Sequence, residues 1–68
     1  SNGYQVIGFV GEKLLKIKHY EHLKGEKMQV RVSEKLPNGT LRYIVRIGSH
    51  KFILNVSADN MEFVMDLC

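Results

Sequence analysis

Residues 28–57 hold two short turn signals that cut a run of alternating apolar residues into three strands, and each turn sets a strand register independently of the other. Met28, Val30 and Val32 alternate with Gln29, Arg31 and Ser33. Leu41, Tyr43, Val45 and Ile47 alternate with Arg42, Ile44 and Arg46, and Phe52, Leu54 and Val56 alternate with Ile53 and Asn55. A four-residue loop, Leu36-Pro37-Asn38-Gly39, suits a type I turn with Pro37 second and Gly39 fourth. It sets Val32 opposite Tyr43, Val30 opposite Val45 and Met28 opposite Ile47. Gly48-Ser49 is a two-residue loop of the Gly-first, type II′ kind. It sets Val45 opposite Phe52, Tyr43 opposite Leu54 and Leu41 opposite Val56. A slip of one residue would turn a strand's apolar set to the other face. The two turns agree on one face, so the segment reads as an antiparallel three-stranded unit with a single core side.

The flanks are read from the same signals. Residues 4–10, Tyr-Gln-Val-Ile-Gly-Phe-Val, form an apolar run that suits a strand ended by Gly11. Residues 12–23 mix a strand-like alternation with a Glu, Lys and Leu composition that suits a short helix stopped by Gly25, and the helix is preferred on propensity. After a turn at Asp59-Asn60, Met61, Phe63, Met65 and Leu67 alternate with Glu62, Val64 and Asp66 in a last strand. Mainly β structure of about five strands with one short helical segment results. Closing into a small barrel removes the open edges of so short a sheet, which gives an SH3-like barrel first and an OB-like barrel second. Residues 4–68 make one domain, and Ser1-Asn2-Gly3 is read as a remnant outside the functional argument.

A chain of 68 residues has room for one core and buries only about 60% of its unfolded surface. Its 44% apolar and 25% charged residues are those of a globular protein. Cys68 is the only cysteine, which excludes an internal disulfide framework and suits a reducing cytoplasm. The net charge of +3 is spread along the chain without a basic block, so a solvated surface is favoured over nucleic-acid binding. No apolar run approaches the ~18 residues of a membrane helix.

Chemistry-bearing patterns are few. Ser33, Ser49 and Ser57 lack a nucleophile context, Cys68 sits at a terminus, and no Gly-rich phosphate loop is present, so no catalytic residue is assigned. His19 and His22 would share a face of a helix, yet two imidazoles fall short of a metal site, and neither metal nor cofactor is expected. The face opposite the core is richer. The registers place Arg31, Ile44 and Ile53 in one row, Gln29, Arg46 and Lys51 in the next, and Ser33, Arg42 and Asn55 in the row beyond. An isoleucine pair bordered by Arg31, Arg42, Arg46 and Lys51 has the apolar centre and polar rim of a protein-binding patch. The competing reading is that the first strand or the helical segment covers those isoleucines.

In this order the elements resemble the FeoA family, small cytosolic SH3-like proteins of bacterial ferrous-iron uptake. The resemblance is carried by Ile7-Gly8-Phe9, residues 12–22, Leu23-Lys24-Gly25, Met28-Gln29-Val30-Arg31-Val32, Leu36-Pro37-Asn38-Gly39, residues 40–47, His50-Lys51-Phe52-Ile53-Leu54, and Ala58 before residues 61–64. The chain departs from the family in lacking its usual opening segment, in a short helical region, and in Lys24 where a proline is expected. The resemblance implies a non-catalytic cytoplasmic accessory domain that docks on the cytosolic part of the membrane ferrous-iron transporter FeoB. Two alternatives stand beside it: a small basic barrel binding RNA or DNA, and the SH3-like domain of a metal-dependent repressor.

Overall fold

The computed structural model describes residues 3–58 and 60–68. A helix α1 (Gly3–Leu14) is followed by a string of turns and four strands, β1 (Met28–Lys35), β2 (Leu41–Ile47), β3 (His50–Ser57) and β4 (Asn60–Asp66). The strands form one antiparallel sheet in the order β1-β2-β3-β4. β1 and β4 are its open edges, so the described residues form a meander sheet rather than a closed barrel, with four strands where about five were expected.

The expected core-side registers between the first three strands are present: Met28, Val30 and Val32 face Ile47, Val45 and Tyr43, which continue to His50, Phe52 and Leu54. The route to the first of them differs from expectation. Asn38 (φ 61°) and Gly39 (φ 75°) both adopt left-handed backbone, and the Thr40 amide donates to the Pro37 carbonyl at 3.3 Å. These are the signs of a type I′ turn centred on Asn-Gly, the pair best suited to it, and not of a type I turn with Pro37 second. The last pair before the loop becomes Lys35 with Leu41, one residue later than a four-residue loop would give. A bulge between Val32 and Glu34 takes that residue back, and Val32 faces Tyr43 as expected. Gly48, with φ 58°, takes the first position of the β2–β3 turn, as a II′ turn requires.

Residues 4–10 are helical, not a strand. A short apolar run is compatible with either state, and length decides. Here the run continues through Gly11 into Glu12-Lys13-Leu14, giving twelve residues of helix. Val10 and Leu14, four apart, are fully buried on one helix face. Gly11 lies within the helix, and a Cβ there would stand 3.5 Å from the Met28 methyl. The helix expected over residues 12–23 ends at Leu14, after which the chain runs in 3-10-type turns to a single turn at Glu21–Leu23. Packing overrides propensity there: Leu14, Tyr20 and Leu23 all turn toward the core.

α1 lies on the side of the sheet predicted to be the core. Val10, Leu14 and Leu23 join Tyr43, Val45, Ile47, Phe52 and Leu54 in one buried cluster. A second bulge, between Ile53 and Leu54 on β3 and at Val64 on β4, changes the last strand. Before it, Met61 and Phe63 share the core side with Val56 and Leu54; after it, Met65 pairs with Ile53 on the outer side and Asp66 with Phe52 on the inner. The expected single alternation of Met61, Phe63, Met65 and Leu67 therefore breaks at Val64.

Candidate functional site: the outer face of the sheet

The registers bring Arg31, Ile44, Ile53 and Met65 into one row across all four strands on the face turned away from α1. Ile44 and Ile53 are directly opposed and half-buried, while Met65 is 48% exposed. Neither isoleucine belongs to the core cluster or packs against it. The first segment therefore covers the other side of the sheet and leaves this pair in place at the surface. Beside it, Gln29, Val30, Arg31, Ile44 and Arg46 line a shallow depression of about 260 Å³.

The row of Gln29, Arg46 and Lys51 is formed as expected. Among the described residues, Arg31, Arg46 and Lys51 have no carboxylate within ion-pair distance. Arg42 is different. The bulge in β1 puts Glu34, rather than Ser33, opposite Arg42, and their side chains pair at 3.3 Å. Arg42 Nε also donates to Asn55 Oδ1 at 2.9 Å, and Asn55 Nδ2 donates to Glu62 Oε1 at 3.1 Å. A continuous polar ladder, Glu34–Arg42–Asn55–Glu62, crosses the four strands. Arg42 is thus a bridging member of that ladder, and the cations around the isoleucines reduce to Arg31, Arg46 and Lys51. Ser33 Oγ lies 3.4 Å from the Arg42 carbonyl, to which it donates. Glu34 at one end of the ladder was not foreseen, because a bulge leaves no mark in the alternation pattern, whereas Glu62 at the other end follows the plain alternation of β4.

A second polar cluster lies on the core side and escaped the sequence reading altogether. Tyr20 Oη donates to Asp66 Oδ2 at 2.9 Å, and His50 Nδ1 lies 3.1 Å from the same oxygen. Phe52 and Phe63 pack around them: Tyr20 meets Phe52 edge-on at 4.9 Å and stacks on Phe63 at 6.0 Å, and the His50 ring stacks on Phe52 at 5.4 Å. Desolvation pushes the Tyr20 phenol above its ordinary value of 10.0, helped by the hydrogen bond to Asp66 and that group's charge. The Leu67 amide donates to the Lys51 carbonyl at 2.7 Å. The cluster ties the end of β4 to the start of β3 and to the turn at Tyr20. Only the bulge at Val64 brings Asp66 to this side, which is why spacing alone did not reveal it.

His19 and His22 do not share a helix face, since His19 lies in a turn and His22 in the 3-10 turn. The His22 ring instead lies 5.9 Å from the His50 ring. Among the described residues no three His, Cys, Asp or Glu side chains converge as a metal site would require, and Cys68 is exposed. No described helix is long and apolar enough to cross a membrane. No family model matches the chain, and no curated protein or solved structure matches it.

Proposed function

We propose that this domain is a non-catalytic interaction module that binds a protein partner on the outer face of its sheet, with Ile44 and Ile53 as the apolar centre. The observation that carries the reading is the opposed Ile44–Ile53 pair, which among the described residues α1 leaves uncovered, since Val10 and Leu14 pack on the other side of the sheet. Arg31, Arg46 and Lys51 around it supply the polar rim that sets register and association rate. Nucleic acid is the weaker fit. Tyr43 and Phe52 are buried on the core side, and the described outer face has no aromatic ring on which a base could stack.

The FeoA resemblance gives this module its proposed setting, a cytoplasmic accessory role in ferrous-iron uptake with the cytosolic part of the transporter FeoB as partner. The same reading includes an SH3-like curl of the sheet. The bulges at Ser33 in β1 and Val64 in β4 add the local twist that bringing the two edges together needs.

The test is a titration of the domain against the purified cytosolic fragment of the transporter. Ile44→Ser with Ile53→Ser is expected to weaken binding more than Arg42→Ala with Arg46→Ala, and to keep the fold by circular dichroism. Binding to generic RNA or DNA that is lost with the arginines and untouched by the serines would overturn the reading. A nucleic-acid complex would also weaken by ~10³-fold or more between 50 and 200 mM salt.

A further inference from the structure

We infer that the segment docking on the outer face is dipolar: an apolar anchor residue flanked by an acidic residue on one side and a basic residue on the other. This deepens the docking reading above and rests on it. The inference comes from the order of the three rows along the strands. At one end stand Arg46 and Lys51, opposite each other on β2 and β3 and unpaired among the described residues. In the middle lie Ile44 and Ile53, with Arg31 at the β1 side and Met65 at the β4 side. At the other end runs the ladder whose outer members are the carboxylates of Glu34 and Glu62. Arg42, the one cation in that ladder, is held by Glu34 and Asn55. The face therefore passes from positive through apolar to net negative.

The spacing suits an extended chain. Successive rows are two residues apart along β2 and β3, or about 7 Å at a rise of about 3.3 Å per residue, while the bulges in β1 and β4 add one residue between the last two rows. Alternate side chains of an extended segment repeat at the same distance, so acidic, apolar and basic residues at positions i, i+2 and i+4 would each meet a complementary row. A segment acidic at both ends would set a carboxylate against Glu34 and Glu62. One basic at both ends would set a cation against Arg46 and Lys51. Such like-charge contacts are how a surface rejects wrong partners.

Three synthetic peptides sharing one isoleucine anchor, of dipolar, doubly acidic and doubly basic type, test this by fluorescence anisotropy at low salt. The dipolar peptide is expected to bind about tenfold more tightly than the doubly basic one and about threefold more tightly than the doubly acidic one. In Arg46→Glu with Lys51→Glu, at surface positions, the doubly basic peptide should become the best ligand. In Glu34→Lys with Glu62→Lys, the doubly acidic peptide should. Equal binding of the three peptides, or a ranking unmoved by either charge swap, overturns the inference. So does the absence of binding by any peptide up to about 1 mM. If the peptides bind equally but Ile44→Ser with Ile53→Ser abolishes all of it, the charge order fails and the docking face stands. If the serines change nothing, or an oligouridine displaces every peptide, the docking reading fails as well.

Discussion

Val45 and Phe52 face each other across β2 and β3, both fully buried, where the registers of the two hairpins meet. Val45 also pairs with Val30 on β1, so three strands share this point of the core. Val45→Asp places an unpaired charge there. Its cost of several kcal/mol is comparable with the whole stability of a domain this small, at the lower end of about 5–15 kcal/mol. The variant is expected to be unfolded at room temperature by circular dichroism. A melting temperature close to wild type would mean that the faces of β2 are inverted.

The three-strand unit was legible in the sequence because two turns reported on the same faces. The first loop was misread by one residue, and the bulge after Val32 compensated, so the pairing of Val32 with Tyr43 survived the wrong turn type. No such compensation operates in β4. The bulge at Val64 moved Met65 to the outer row and Asp66 to the inner side, and it created both the Met65 flank of the candidate site and the Tyr20–Asp66–His50 cluster. Bulges follow from twist and packing between strands, which a single strand's alternation does not encode. The Ile44–Ile53 pair was legible, and Arg42's engagement by Glu34 was not.

Residues 4–10 gave the least reliable pattern, and one glycine tests the outcome. Gly8 lies in α1, is exposed, and has nothing within 4 Å of where a Cβ would stand. Gly8→Ala is expected to stabilise the domain by about 0.5–1 kcal/mol, because alanine loses less backbone freedom in a helix. Melting temperature should rise by a few degrees for a chain of this length. A lowered melting temperature would contradict the helix.

Tyr20 gives a pH-dependent prediction with a definite sign. Its phenol titrates higher in the folded protein than the ordinary 10.0, so the folded state holds the proton more tightly than the unfolded state does. That contribution is complete below the unfolded value and is lost as pH rises through the folded one. Tyr20→Phe keeps the ring against Phe52 and Phe63 but removes the 2.9 Å hydrogen bond to Asp66. The variant should be less stable at neutral pH by about 1 kcal/mol. The gap between the two proteins should narrow in denaturant melts as pH rises beyond 10.0. A gap that stays constant or widens would show that the phenol does not titrate higher in the folded protein than in the unfolded one.

The most direct test of the docking face is to titrate the ¹⁵N-labelled domain with the transporter's cytosolic fragment and map the amide shifts. The largest changes are expected at Gln29, Arg31, Ile44, Arg46, Lys51, Ile53 and Met65, with the α1 residues Val10 and Leu14 unmoved. Shifts centred on α1 or on Tyr20, His50 and Asp66, with the Ile44–Ile53 row silent, would contradict the outer face as the site of binding.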